Sequence, residues 1–256
     1  MHFSLSTIAL LALAACGAGL VNALAGGGIF IVFPALLLAG VTPIKANATA
    51  SLVVLPGSMI AAWVYRHSLK DHSAALIGKL VGCSLAGSAA GSILLLRTSN
   101  ATFTTLVPWL LLLAATFFTF AGQLRKAAAN LSGHRSQAAL LGGQFVIALY
   151  GGYFGAGMGV LLIVLYLATA GMTIHSASSL RLICASVTNL LAVAVFAGEG
   201  ALEWSAGLPM LVAGVIAAYW AARLVKGMNE ESVRRWILVY AWVLTAYFFI
   251  RPLLAA

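Results

Sequence analysis

The sequence predicts an all-α polytopic integral membrane protein, built from two inverted repeats that each contain a glycine-broken first segment and three spanning helices. Three observations lead to this fold class. The 256-residue chain is 62% hydrophobic and only 7% charged, against about 25% charged residues in an ordinary soluble domain. Apolar runs of about 20 residues, enough for one membrane crossing each, recur along the chain. Two longer apolar runs also resemble each other.

The first segment, residues 5–42, is too long for one straight span. As a continuous helix it would measure roughly 50 Å, against a hydrocarbon core of about 30 Å. Gly26, Gly27 and Gly28 interrupt this segment, and glycine costs a helix interior roughly 1 kcal/mol relative to alanine. We therefore expect the segment to bend there, either as a re-entrant hairpin or as a pair of short helices.

The same order of elements occurs twice along the chain. At an offset of 131 residues, positions 25–42 align with positions 156–173, which pairs Gly26 with Gly157 and Gly28 with Gly159. We predict a first membrane repeat at 1–125, a basic cytoplasmic linker at 126–137 and a second repeat at 138–256. The predicted spans are 46–66, 74–96 and 103–122 in the first repeat, and 177–197, 205–225 and 233–254 after the broken segment 138–173 in the second.

The basic residues predict how the broken segments cross. If every segment crossed once, Lys and Arg would divide almost evenly between the two faces of the membrane. If each broken segment enters and leaves on one face, ten basic residues share a face, as the positive-inside rule requires. The connections that hold Arg66, Arg125 and Arg234 are then cytoplasmic, and the two halves have opposite orientations. Inverted repeats with broken helices are typical of secondary transporters, with the substrate bound near the midplane.

The broken helices also predict what is bound. Half-helix N-termini present unpaired N–H groups and a partial positive charge, which suits an anion. Arg181 lies a short way into an apolar span, where a cation is functional by default. We expect the substrate site to combine glycines at the breaks, Arg181 and nearby polar side chains. The candidate residues are Asn22, Gly26, Gly27, Gly28, Asn47, Thr49, Ser51, Phe154, Gly155, Gly157, Gly159, Ser178, Arg181 and Asn189.

Other classes of function fit the composition less well. An intramembrane enzyme would need acid, base or metal-binding groups within its spans, and the predicted spans carry almost no Asp, Glu or paired His. The net charge of +9 is scattered over short connections, which argues against nucleic-acid binding. We expect no enzyme activity, no cofactor and no metal. A passive anion channel and a transporter of an unrelated small solute stay open, as does a homodimer.

Two long motifs resemble the TauE/SafE family of sulfite exporters and related anion transporters. They are NALAGGGIFIVFPALLLAGVTPIKANATASL from residue 22 and GGYFGAGMGVLLIVLYLATAGMTIHSASSLRL from residue 151. A W…G…AARL pattern between Trp204 and Leu224 adds to the likeness. Pro34 matches the family pattern, whereas Leu165 replaces the second proline and Ser51 stands where many relatives have lysine. Arg181 keeps the basic character of the second motif.

The resemblance implies a multi-pass protein that exports a small anion such as sulfite or an organosulfonate. The expected partners are the small anion and the lipid bilayer. Because no targeting extension precedes the first span, we expect the location to be the inner, or plasma, membrane of a bacterium.

Overall fold

The computed structural model describes residues 3–25, 27–65, 73–130, 136–224 and 230–254. These described residues form ten α-helices, so the all-α prediction is confirmed. The helices are α1 (Leu5–Ala25), α2 (Ile29–Leu38), α3 (Pro43–Tyr65), α4 (Ala74–Arg97), α5 (Asn100–Asn130), α6 (Gln137–Tyr153), α7 (Met158–Ala170), α8 (Ile174–Gly198), α9 (Trp204–Leu224) and α10 (Glu230–Leu254).

Both breaks occur where the glycines predict them. The first lies between α1 and α2, and the second lies between α6 and α7. In the second break, Gly155 and Gly157 have φ angles of 80° and 81°, a left-handed conformation that is costly for other residues. The α4, α6 and α8 helices begin at hydroxyl N-caps, Ser73, Ser136 and Thr173, which supply acceptors for first-turn N–H groups.

Both broken segments fold back on themselves. Gln144 and Tyr166 are 22 residues apart, about 33 Å along a continuous helix, yet the Tyr166 hydroxyl donates to Gln144 Oε1 at 2.8 Å. In the first segment, a Cβ built on Gly17 would lie 3.9 Å from Ile31 Cδ1. The α2 and α7 helices have 10 and 13 residues, so they extend only ~15 and ~20 Å. Each segment is therefore a hairpin whose second arm is too short to cross a membrane.

Side-chain contacts define the two ends of the bundle. The Glu203 N–H donates to Thr49 Oγ1 at 2.9 Å, so α8 ends where α3 begins and the two helices are antiparallel. We call this the Glu203 end. The opposite end, which we call the basic end, holds the first turns of α4 with Lys79 and the last turns of α5 with Arg125 and Lys126.

The second hairpin enters and leaves at the basic end. Ser84 of α4 contacts Gln144 of α6, and seven residues further on Gly91 contacts Leu149, so these two helices run parallel. Because α4 begins at the basic end, α6 begins there too. The α7 helix returns towards that end, where α8 begins. The charge pattern predicts this arrangement, in which a broken segment enters and leaves at the same end of the bundle.

The helices of the two halves have matching neighbours. The α1 helix packs on α9 as α6 packs on α4, and α3 packs on α9 as α8 packs on α4. The α3 and α8 helices pack on each other, and so do α5 and α10. Two halves related by an approximate two-fold axis would produce this pattern. Their opposite orientation in a membrane stays a prediction.

Four helices among the described residues are long and apolar enough to cross a membrane. They are α3, α4, α5 and α8, judged by length and composition. The α5 helix continues to Asn130, into the segment predicted as a linker. The sequence RKAAAN there consists mostly of strong helix formers, which explains the extension. The connection around Arg66 and residues 131–135 lie outside the described residues, and the side chain of Arg234 is not described.

Small residues bring α4 and α6 into close contact. A Cβ built on Gly91 would overlap the backbone carbonyl of Leu149, and one built on Gly152 would overlap that of Ser88. Close backbone approach at small residues is a common way for membrane helices to associate. The first arm of the second hairpin is therefore held against α4.

We predict that Gly91→Ala lowers the free energy of unfolding by about 2 kcal/mol, because the methyl group overpacks against backbone that cannot move aside. Thermal unfolding of the purified protein in detergent measures the change. Gly82→Ala on the same helix is the matched control, since nothing lies within 4 Å of its added Cβ. Equal melting temperatures for the two variants would show that α4 and α6 are not in close contact at Gly91.

A second prediction concerns the left-handed glycine at the start of α7. Gly157→Ala should destabilise the fold by about 1–2 kcal/mol through backbone strain, because its added Cβ has room, at 3.5 Å from the nearest atom of Ala114. Gly142→Ala on α6, where the added Cβ meets nothing within 4 Å, should have little effect. The same unfolding measurement compares them, and a Gly157→Ala variant as stable as its control would argue against the left-handed turn.

Candidate functional site

A small cavity of about 40 Å³ lies where the two breaks meet the α3 and α8 helices. It extends from the middle of α3 and α8 towards the basic end. Among the described residues, Arg181 is the one lining residue with a formal charge. The lining residues are Ile29, Val54, Gly57, Ser58, Ala61, Gly155, Met158, Gly159, Arg181, Leu182, Ala185 and Asn189.

The two half-length helices begin at this cavity. Ile29, the first residue of α2, and Met158, the first residue of α7, both line it. A Cβ built on Gly155 would lie 3.3 Å from Ile29 Cδ1, so the two breaks are in direct contact. Several of the first-turn N–H groups already donate to carbonyl oxygens at the breaks, those of Phe30, Ile31, Met158 and Val160 among them. The helix dipole makes each of these N-termini favourable for negative charge. Two such helix ends therefore face one cavity.

Arg181 packs against the first turn of α7. A Cβ built on Gly159 would lie 2.7 Å from Arg181 Nη1, so the absence of a side chain at residue 159 makes room for the guanidinium group. The α8 helix supplies Arg181 from its second turn. The cavity thus combines a full positive charge with the partial positive charge of a helix N-terminus, a pairing that attracts anions.

Matched positions of the two repeats face each other across the cavity. At the 131-residue offset, Val54 pairs with Ala185 and Ser58 pairs with Asn189, and all four line the cavity. The Asn189 side chain is only 6% exposed. The site therefore lies near the axis that would relate the two halves.

Three predicted polar residues lie outside the cavity, in the first turns of α3. Asn47 Nδ2 donates to the carbonyl oxygen of Tyr153, the last residue of α6, at 3.0 Å. Thr49 Oγ1 accepts the N–H of Glu203. Ser51 Oγ donates to the Asn47 carbonyl within α3. Asn47 therefore joins α3 to α6, and Thr49 joins α3 to the connection before α9, whereas the Ser51 bond stays within α3.

The remaining predicted residues do not line the cavity, or they lie outside the part of the chain that the structure describes. Phe154 is fully buried and packs edge-on against Phe33, with ring centroids 5.7 Å apart. Ser178 is half-buried on α8. Gly27 and Gly28 are buried in the first break and Gly157 precedes α7; Gly26 and the side chain of Asn22 lie outside the described residues.

The part of α3 that lines the cavity, including Gly57, Ser58 and Ala61, was not among the predicted site residues. Polar residues favoured the start of α3, but α3 and α8 are antiparallel. Residues level with Arg181, near the start of α8, therefore come from the second half of α3. The repeat itself carried the missing signal, because Asn189 was a candidate and Ser58 is its matched position.

Comparisons with known proteins agree with this architecture. The family model described as sulfite exporter TauE/SafE matches residues 11–248. A probable membrane transporter protein of Haemophilus influenzae is 25% identical over 253 residues, covering 96% of both chains. The probable membrane transporter protein YfcA of Escherichia coli is 25% identical over 229 residues, covering 90% of this chain and 84% of its own.

A probable membrane transporter protein of Sinorhizobium, ORF9, is 25% identical over 239 residues, covering 91% of this chain and 88% of its own. No solved structure gives a significant match. The matched family is one of membrane transporters, and its model covers nearly the whole chain, including both breaks and the cavity. The chain belongs to the TauE/SafE sulfite exporter family.

Proposed function

We propose that this protein is a secondary transporter that exports a small anion, such as sulfite or an organosulfonate, through the cavity between its two broken helices. The observation that carries the proposal is the meeting of Arg181 with the first turn of α7, where Gly159 leaves room for the guanidinium group. An anion in this cavity would lie beside a charged side chain and at the positive end of a helix dipole.

The family supports transport, and the cavity supports an anion. Family membership makes membrane transport the expected activity and gives catalysis no support. The family description names sulfite, which fits a site with a positive end. Export and the choice among sulfur anions are part of the proposal.

We also infer that the basic end faces the cytoplasm of a bacterial cell. Lys79, Arg125 and Lys126 lie at that end in α4 and α5, and cytoplasmic connections carry an excess of Lys and Arg. The cavity extends towards this end, which suits an exporter that collects its substrate from inside the cell. The two halves then have opposite orientations, as in other transporters with inverted repeats.

Anion binding is tested by thermal unfolding with sulfite, sulfate, thiosulfate, sulfoacetate, phosphate and chloride. A ligand that binds only the folded state raises the free energy of unfolding by about 2.7 kcal/mol when its concentration is one hundred times its Kd. We expect a concentration-dependent rise in melting temperature with a sulfur anion. No shift with any of these anions would favour an uncharged or cationic substrate.

Arg181→Gln should weaken anion binding about ten- to a hundredfold, because a charge-assisted hydrogen bond contributes about 1.5–3 kcal/mol. The anion-dependent rise in melting temperature should shrink accordingly, and uptake of the anion into inside-out vesicles should stop. Arg125→Gln is the matched control, since Arg125 is on α5 and does not line the cavity. A loss in the control equal to that in Arg181→Gln would remove Arg181 from the site.

Gly159→Ala should lower anion affinity about tenfold while leaving the fold intact. The added methyl group would lie 2.7 Å from Arg181 Nη1, and the flexible guanidinium group can move away from it. Titration of the melting temperature with anion reports the affinity, and the melting temperature without anion reports the fold. Gly122→Ala, with nothing within 4 Å of its added Cβ, controls for the substitution. Unchanged affinity in Gly159→Ala would show that the position of Arg181 does not matter.

Vesicle flux also separates a transporter from a passive anion channel. A transporter gives a rate that saturates with anion concentration and depends on an ion gradient. A channel gives a rate that rises without saturation at accessible concentrations. A rate that does not saturate would leave the proposed anion site in place but would show that the protein is a channel.

A further inference from the structure

The cavity is closed towards the Glu203 end. Its α3 residues come from Val54 to Ala61, in the second half of the helix, and its α8 residues come from Arg181 to Asn189. Among the described residues, the first turns of α3 contribute none to the lining. Residues 46–52 of α3 are instead all buried. A substrate therefore meets packed protein between the cavity and the Glu203 end.

One stripe of α3 connects the cavity with the closed region. Ala61, Ser58 and Val54 line the cavity, and the same helical face continues through Ser51 to Asn47 at spacings of three and four residues. A path from the cavity to the Glu203 end would follow this face. The contacts that Asn47 makes therefore decide whether the path is open.

Contacts between the two halves hold this region closed. Asn47 Nδ2 donates to the Tyr153 carbonyl at 3.0 Å, which joins α3 to the second hairpin. The Glu203 N–H donates to Thr49 Oγ1 at 2.9 Å, which joins α3 to the connection between α8 and α9. Lys45 Nζ lies 3.9 Å from Glu203 Oε2 at the surface. We call Asn47, Thr49 and their two partners the Asn47 gate.

Aromatic packing fills the space behind the Asn47 gate. Phe103 of α5 lies edge-on to both Tyr153 and Phe154, with ring centroids 5.8 and 6.4 Å apart. Phe33 of α2 lies edge-on to Phe154. The cluster is apolar and buried, so it offers an anion no hydration on this side of the second break.

Pro56 lies in α3 between the gate residues and most of the residues that line the cavity. Proline has no N–H, so the helix lacks the hydrogen bond to the carbonyl of Leu52, and helices bend most readily at such positions. The gate residues and the lining residue Val54 precede Pro56, and the lining residues Gly57, Ser58 and Ala61 follow it. The two parts of α3 can therefore change their angle at a lower cost than in a helix without proline.

We propose that the Asn47 gate closes the Glu203 end of the transport path, and that α3 bends at Pro56 when the gate opens. This inference rests on the proposed transport function. In the conformation described here, the anion enters from the basic end. Passage to the other end requires that Asn47 release the Tyr153 carbonyl and Thr49 release Glu203.

Cysteine accessibility tests the gate directly. In a background with Cys16, Cys83 and Cys184 changed to alanine, Ser58→Cys reports on the cavity and Ser51→Cys reports on the stripe next to the gate. A membrane-impermeant methanethiosulfonate is applied to each face of sealed vesicles. Ser58→Cys should react from the basic end alone, and Ser51→Cys, at a position 4% exposed, should react from neither face.

Removing the gate contacts should expose residue 51 to the opposite face. With Asn47→Ala and Thr49→Val together, Ser51→Cys should react at least tenfold faster from the Glu203 end. Thr245→Val is the matched control, because it removes a buried hydrogen bond, to the Ala241 carbonyl at 2.7 Å within α10, away from the gate. If the double variant does not fold, Asn47→Asp removes the donor at constant size.

If Ser51→Cys reacts no faster in the gate variants, or reacts equally faster with Thr245→Val, the proposed gate is wrong. Labelling of Ser58→Cys from the Glu203 end in the unmodified gate would also overturn it. The labelling needs no substrate, so a failed gate is distinguishable from failed anion binding, which the unfolding measurements detect separately.

Discussion

The need to satisfy backbone hydrogen bonds inside a bilayer governs this structure. Where a helix ends away from water, its free carbonyl and N–H groups must find protein partners or line a cavity. At the second break, Asn47 donates to the Tyr153 carbonyl, the Tyr150 hydroxyl donates to the Ala156 carbonyl at 2.5 Å, and the Gly155 N–H donates to the Tyr150 carbonyl. The carbonyl side of the break is thus bonded within the protein, which leaves the N-terminal side of α7 to face the cavity.

This arrangement needs a rigid support, which α4 provides. Gln144 connects the hydroxyl groups of Ser84 and Tyr166 at 2.7 and 2.8 Å, so one buried amide links α4, α6 and α7. A binding site is most precise when it is built on a fixed element, and Arg181 meets the firmly held hairpin.

The sequence was sufficient to predict the helices and the positions of both breaks. Span length, glycine position and the 131-residue repeat are local properties that can be read along the chain, so Arg181, Gly155, Gly159 and Asn189 were identified and line the cavity. The role of Asn47 depended on which carbonyl it meets, 106 residues away. Such pairings follow from how helices pack, and neither composition nor periodicity encodes them.

The second half of α3 was missed for a related reason. Polar residues at the start of α3 drew the prediction towards residues 45–51, whereas the lining is mostly small or apolar. Gly57 and Ala61 line the cavity with little or no side chain, and a small side chain has no polar signature in a sequence. Only the antiparallel arrangement of α3 and α8 brings this stretch level with Arg181.

The most direct test of the account is to locate a bound anion. Selenite, the heavier analogue of sulfite, can be soaked into crystals of the protein and found by its anomalous scattering. We expect one peak in the cavity, between Arg181 and the first turn of α7 beside Gly159, and we expect Arg181→Gln to abolish it. A peak elsewhere in the protein, or one that persists in Arg181→Gln, would contradict the proposed site.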